Sequence, residues 1–492
     1  MTRNGTSWQP EAGFSPYVDG RWTDTDGPVN EVLDPATEEI LAQGHDGTVR
    51  EVEAAVTAAR TAFDEGPWGR MSGSDRRRVL TGFAEALDKR RAEIADLVIA
   101  ETGAIPAIAE RLHVGVALDH FAWAVEQSDR DWTRPLPPLP GHTLGTGVVM
   151  KEPCGVVGAI SAYNFPFFLN MAKLGGALAT GNTVVLKPSP MTPLEAFVLV
   201  DAAHDADLPP GVLNIVSGDV EVSRSLTTDP RVDVLTFTGS ERVGAQVSAQ
   251  AAPNITRVHL ELGGKSALIV RSDADLADAV GYGMRQLITQ AGQGCALTTR
   301  HLVHRDVYRE YVAMLTAAVS RVRTGPPRDN GVGMGPLIRE HQVARVEHYV
   351  ELARRAGGVI ETGGARTAGL DRGFFYDPTI ITGLDNSATT VREEIFGPVA
   401  VVLPFDDDAE AVRIANDSPY GLGGHIYSAD TATAFAMCRQ IRSGYLAING
   451  GAGAMHPAAP FGGFKRSGLG REYGEEGLEA FLETKSISFH AG

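Results

Sequence analysis

Between Gly155 and Glu261 the chain switches regularly between short apolar runs and amphipathic ones. Gly155 to Ser161, Thr183 to Lys187, Val212 to Val216, Val232 to Phe237 and Arg257 to Glu261 read as strands. The intervening stretches, Phe167 to Thr180, Thr192 to Ala206, Val220 to Thr227 and Glu241 to Ala251, read as helices. Strands apolar on both faces need cover on both faces, and helical crossovers make successive strands parallel. The pattern therefore predicts an α/β protein built on a parallel sheet. Such sheets bind ligands outside the carboxyl ends of their strands. The polar residues Asn164, Lys187, Thr238 to Ser240 and Glu261 fall at those ends.

A second α/β unit begins near Ser266. Its predicted elements are a helix from Leu276 to Ile288, a strand at His301 to Val303, helices over Tyr308 to Val322 and His341 to Ala356, and strands at Val399 to Leu403 and Gly444 to Asn449. At the other end of the chain, Tyr17 to Trp22 and Asp34 to Thr37 carry turn signals between short strands. A helix follows with Val52, Val56, Ala59 and Phe63 on one face. Ser74 is expected to cap the next helix, whose stripe is Val79, Leu80, Phe83 and Leu87 and which ends before Gly103. A third helix is expected from Pro106 to about Gln127. The octet Arg134 to Gly141 contains four prolines, which exclude helix. With the strand expected at Thr146 to Lys151, it is either a linker or an arm that leaves its domain and pairs elsewhere. Ser486 to Phe489 alternates like an edge strand.

A length of 492 residues suggests about two to four domains. The 61 acidic against 44 basic side chains give a net charge of −17, which argues against nucleic-acid and anionic-membrane partners. Arg76 to Arg78 and Lys89 to Arg91 read as solvated helix faces. Three cysteines, at 154, 295 and 438, lie in no metal-ligand spacing and provide no disulfide framework. No secretory signal is visible in Met1 to Pro16, and no run of about 18 apolar residues is present. The expectation is a soluble cytoplasmic protein without a bound metal.

The stretch Gln290-Ala291-Gly292-Gln293-Gly294-Cys295 places a cysteine just after a helix. A nucleophilic cysteine needs an accessible thiolate and a nearby N–H for the oxyanion formed on attack. Glycines at 292 and 294 let backbone and substrate approach closely. Taken singly, Cys295 reads either as that nucleophile or as a small buried hydrophobe. Glu261, ending an apolar strand beside two glycines, is a general base with a raised pKa or a surface charge. Asn164 is an oxyanion donor or a turn former. Phe237 to Gly244 is a strand-to-helix turn whose free N–H groups suit a pyrophosphate, without the full glycine fingerprint. Lys187 is most simply a strand-end lysine. Cys154 and Cys438 look structural.

In combination these residues resemble the aldehyde dehydrogenase superfamily over nearly the whole chain. The resemblance rests on Asn164-Phe165-Pro166, Lys187-Pro188-Ser189, Phe237-Thr238-Gly239-Ser240, Leu260-Glu261-Leu262-Gly263-Gly264-Lys265, Gly292-Gln293-Gly294-Cys295, Glu393-Glu394-Ile395-Phe396-Gly397-Pro398 and Pro460-Phe461-Gly462-Gly463-Phe464-Lys465. It implies that Cys295 attacks an aldehyde, that its own N–H and Asn164 hold the oxyanion, and that Glu261 activates the water that hydrolyses the thioester. It implies cofactor contacts at Lys187, Ser189, Gly239, Ser240, Gly244, Glu394 and Phe396, with NAD as cofactor and NADP possible, and a proton-moving role for Glu472.

The implied fold is two Rossmann-like, doubly wound parallel-sheet domains plus a β bridging arm. The dinucleotide-binding domain takes 1–130 and 152–259, and the catalytic domain 260–447. Residues 448–479 return to the cofactor side, and 131–151 with 480–492 form the arm, which supports a homodimer or homotetramer.

Several positions depart from common family patterns. Tyr163 and Ala172 stand where many members carry tryptophan, and Pro190 where many NAD-using members carry glutamate. The expected substrate wall is Tyr163, Phe167, Phe168, Leu169, Ala172, Met455 and Phe461, an apolar set without positive charge unless Arg300 turns inward. Burying a free carboxylate there is costly, so apolar aliphatic or aromatic aldehydes are expected over succinate semialdehyde. A CoA-acylating enzyme is the rival in chemistry and a non-catalytic protein on the same fold the rival in class. The retained Glu261, Cys295 and Asn164 speak against both.

Overall fold

The computed structural model describes residues 13–137, 145–451 and 456–490. Met455 lies outside them. Two sheets carry the molecule. The first has eight strands in the order Gly468–Leu469, Arg257–Glu261, Val234–Thr238, Val156–Ile160, Thr183–Lys187, Leu213–Ile215, Tyr17–Val18 and Arg21–Trp22. Its five central strands run parallel. Every residue of Val156–Ile160, Thr183–Lys187 and Val234–Thr238 is buried, which is why these strands read as unbroken apolar runs.

From Val156–Ile160 the chain winds one way through Thr183–Lys187 and Leu213–Ile215. It then crosses back to Val234–Thr238 on the other side. The order therefore reverses between Val156–Ile160 and Val234–Thr238, and a crevice opens at their carboxyl ends.

The second sheet has seven strands: Val359–Thr362, Thr379–Thr382, Val399–Phe405, Thr298–His304, Ser266–Val270, Gly424–Tyr427 and Ala447–Ile448. All neighbours are parallel except the antiparallel edge strand Val359–Thr362. The third sheet answers the question left by the proline-rich octet. Gly145–Pro153 pairs antiparallel with both Arg134–Pro135 and Leu482–His490. Gly145–Pro153 thus pairs with the end of the chain, and residues 138–144, which include the second half of the octet, lie outside the described ones.

Some expectations need correction. The helix expected to be capped by Ser74 starts at Gly73, and the cap is Ser72, whose hydroxyl accepts from the Asp75 N–H. The run to Gly103 is two helices, Gly73–Lys89 and Arg91–Thr102, broken at Arg90; Gly103 ends the second in a left-handed conformation at φ 71°. The strand expected over Gly444 to Asn449 shrinks to Ala447–Ile448. Among the described residues, no helix is long and apolar enough to cross a membrane.

Candidate active site

The first sheet turns the carboxyl ends of its strands to the crevice, whereas the second turns its amino ends. Leu262 and Gly263 precede Ser266–Val270, Cys295 to Leu297 precede Thr298–His304, Phe396 precedes Val399–Phe405, and Tyr445 precedes Ala447–Ile448. All of them line one cavity of about 1250 Å³ together with Tyr163, Asn164, Thr238 to Arg242 and Glu261 from the first sheet.

The loop that carries Cys295 is held in an uncommon backbone. Gln290 and Ala291 have φ of 51° and 49°, and Gly292 has φ of 72°. A side chain at Gly292 would collide with the Gly397 carbonyl, so this glycine is required both by conformation and by close approach. The Gln290 side chain accepts from His113 at 3.3 Å and donates to the Thr102 carbonyl at 3.3 Å. Burial pushes His113 down to about 3, so the ring is neutral and stacks on Phe165 at 4.6 Å. Gln293 is pinned by its own side chain, which donates to the Gln290 carbonyl and accepts from the Ile338 N–H, both at 3.1 Å.

Asn164 is buried, and its Nδ2 donates to the Gln293 carbonyl at 2.9 Å. An amide carries two N–H donors, so a second remains for a ligand in the cavity. Cys295 is half-buried. Burial first, and then the carboxyls of Glu394, Glu261 and Glu472, hold its thiol well above the ordinary range, so at rest it is protonated. Glu261 is also raised, by burial and then by Glu472, with Lys173 and Arg471 pulling the other way. Its Oε2 is buried without a hydrogen-bond partner. A Cβ on Gly462 would stand 2.7 Å from Glu261 Oε1, so the glycine-rich loop makes room for this carboxyl. Behind it, Lys173 Nζ donates to Glu472 Oε1 at 2.9 Å and to Thr236 at 3.2 Å.

On the other side of the cavity the Gly264 N–H donates to Glu394 at 3.0 Å, while burial lifts that carboxyl to about 7. Arg345 donates to the Glu394 and Ile395 carbonyls, and Gln342 to those of Ile395 and Phe396. These bonds fix Phe396 at φ 61° with its ring edge-on to Tyr163 at 6.0 Å. Ser240 caps the helix Glu241–Ala251 by accepting from Val243 N–H, and that helix opens its amino end to the cavity. Thr238 Oγ1 is buried there without a partner.

Of the residues singled out in the sequence, Cys295, Glu261, Asn164, Gly239, Ser240, Glu394, Phe396, Tyr163, Phe168, Leu169, Phe461 and Glu472 line this cavity. Lys187, Ser189, Gly244 and Ala172 do not; all four are buried. Phe167 belongs to the core under the first sheet. The cavity as a whole is not free of positive charge: Arg111, Arg242, Arg285, Arg345, Arg392 and Arg466 line it. Arg300 does not turn inward but is buried on Asn386 and the Ile414 and Ala415 carbonyls.

Lys173, Tyr445 and Tyr473 were missed. Lys173 had a signal, since it is the single charge inside the helix Pro166–Ala179. Among the described residues, no group of three or more His, Cys, Asp or Glu is placed to hold a metal ion.

Comparison with known proteins matches residues 22–487 to the model of the aldehyde dehydrogenase family. A 3-succinoylsemialdehyde-pyridine dehydrogenase from Pseudomonas sp is 39% identical over 481 residues, 97% of this chain and 98% of the relative. The crystal structure of an aldehyde dehydrogenase from Mycobacterium tuberculosis, complexed with NAD+, superposes with a TM-score of 0.93 at 40% identity, covering 96% of this chain and 98% of that one. A betaine aldehyde dehydrogenase from Staphylococcus aureus, also in complex with NAD+, gives 0.93 at 32% identity, covering 97% and 95%. The chain belongs to the aldehyde dehydrogenase family.

Proposed function

We propose that this protein oxidises an aldehyde to a carboxylic acid with NAD, through a thiohemiacetal and then a thioester on Cys295. The observation that carries the reading is the convergence of a half-buried thiol, a pinned amide donor and a buried, partnerless carboxyl in one cavity. Sγ of Cys295 adds to the aldehyde carbon, and the negative charge that develops on oxygen falls to Asn164 Nδ2 and the Cys295 N–H. The raised thiol requires a base for its proton. Glu261, itself raised, has the driving force to take a proton at neutral pH once ionised. The same carboxyl activates water against the thioester, and the Lys173–Glu472 pair behind it holds a charge to which that proton can be passed.

The lining fits a dinucleotide. The amino end of the helix Glu241–Ala251 suits a pyrophosphate, the partnerless Thr238 hydroxyl lies beside it, and Glu394 offers a carboxylate to ribose hydroxyls. NAD, when bound, supplies the hydride acceptor. Asp46 and Asp219 act electrostatically on Lys187, which burial brings down to about 8. Those two acids oppose a further phosphate near Lys187, which supports NAD over NADP. No glutamate stands at Pro190 to sharpen the choice, so the preference is set below about a hundredfold in kcat/KM.

Nicotinamide fluorescence recorded with a panel of neutral and acidic aldehydes tests the reading. A gain that depends on both aldehyde and NAD, without CoA, is expected; a strict need for CoA overturns it.

A further inference from the structure

The charges in the cavity follow burial. Glu261 and Glu472 are buried beside the nucleophile, 5% and 7% exposed. Lys173, the cation at that depth, is committed to Glu472 and Thr236. Six arginines line the cavity too. Arg392 pairs with Asp417, Arg466 with Glu241, and Arg345 donates to the Glu394 and Ile395 carbonyls. Arg242 sits in the first turn of the helix Glu241–Ala251 on the pyrophosphate side, which leaves the exposed Arg111 and Arg285 as the cations for the substrate end of the mouth. Arg111 lies in the π-helical segment Ala109–Val116, flanked in the lining by Ile108 and Leu112. Arg285 projects from the face of Leu276–Ile288 that also presents Tyr282, Gln286 and Thr289. A Cβ on Gly281 would come within 3.3 Å of its guanidinium, so that glycine leaves the group room to lie along the helix. Among the described residues, neither arginine forms an ion pair with a carboxylate. Phe168, Leu169, Tyr445 and Phe461 supply apolar and aromatic lining.

We infer that the preferred substrate is an aldehyde with an apolar body and a carboxylate at the end remote from the aldehyde carbon. This rests on the aldehyde-oxidising function proposed above. The aldehyde carbon must reach Cys295 Sγ. A carboxylate close to that carbon would lie in a desolvated space beside Glu261 and Glu472, with no free cation to meet it. A carboxylate separated from the carbon by a longer apolar body emerges between Arg111 and Arg285. The protein's net charge of −17 repels anions at a distance, so attraction is confined to this mouth. Short semialdehydes, with both groups in the depth, are disfavoured by the same arrangement.

The test compares kcat/KM for ω-oxo carboxylic acids with n-alkanals of matched length, from butanal and its ω-oxo acid to decanal and its own, using the full chain with NAD. The acid-to-alkanal ratio is expected below one for the shortest pair and above one for the longest. The double variant Arg111→Gln, Arg285→Gln should lower the ratio for the longest pair by about tenfold, and added salt should lower it in the wild type. Alkanals preferred at every length, or a ratio that the double variant does not move, would overturn the proposal alone. Turnover of neither series by protein that binds NAD would overturn it together with the aldehyde-oxidising reading.

Discussion

The side-chain amide of Asn164 donates to the main-chain carbonyl of Gln293 at 2.9 Å, joining the loop after the strand Val156–Ile160 to the loop that carries Cys295. One bond thus ties a residue from the first sheet to the Cys295 loop of the second. It also orients the amide, so that its remaining N–H is set before any substrate arrives, which is the preorganisation that oxyanion stabilisation requires.

Removing that donor should slow chemistry rather than unfold the protein. Asn164→Ala is expected to lower kcat by about 100- to 1000-fold while NAD affinity changes little. Steady-state kinetics beside a cofactor titration check this; a kcat within a few-fold of wild type would remove Asn164 from the oxyanion site.

The three cysteines separate by environment. Cys154 is engaged by Arg257 at 3.1 Å at the foot of the first sheet, and Cys438 ends the helix Thr431–Cys438. Only Cys295 faces the cavity. Cys295→Ala should abolish turnover with cofactor binding intact, whereas Cys154→Ala and Cys438→Ala should retain most of it. Turnover of a tenth or more in Cys295→Ala would contradict the assignment.

Much of this was legible because the chemistry lies on loops that follow or precede uninterrupted apolar strands, which announce themselves in a linear chain. The β-α alternation marked Asn164, Ser240 and Glu261 at strand ends. What stayed hidden depends on tertiary closure. Nothing local shows that Arg111 and Arg285, from helices far apart in sequence, line one cavity, or that Glu472 receives Lys173. Ala172 stays out of the lining although it follows Phe168 and Leu169 by one turn on the same face of Pro166–Ala179, because its single methyl is buried and does not reach the cavity. Ser74 lost the cap to Ser72 because two serines in one short turn offer equivalent chemistry.

A buried carboxyl pair makes stability depend on pH. Glu101 accepts from the Leu194 and Glu195 N–H groups, and burial raises it to about 7; Glu195 is raised as well, by burial and by Glu101. For a group raised on folding, stability is full below the ordinary value of 4.5 and is lost as pH rises toward about 7. Glu101→Gln removes that loss. Melting temperatures from mildly acid to mildly alkaline pH should fall less steeply in the variant than in the wild type; parallel curves would show that Glu101 is ionised throughout.

Cofactor choice turns on Pro190, whose carbonyl accepts from Asn30 at 2.9 Å. Pro190→Glu adds an acid near Asp46 and Lys187, and should weaken NADP more than NAD. Parallel kcat/KM values on both cofactors decide the point, and a wild-type preference for NADP would contradict the account.

The most direct test of the central claim is intact-mass spectrometry of Glu261→Gln mixed with aldehyde and NAD. With the nucleophile, oxyanion site and cofactor surface intact, the thiol proton left to solvent and no base for the deacylating water, the account predicts one slowed burst of reduced cofactor, then a stall. A single acyl group should be found on Cys295. Steady turnover near the wild-type rate, with no adduct on Cys295, would contradict it.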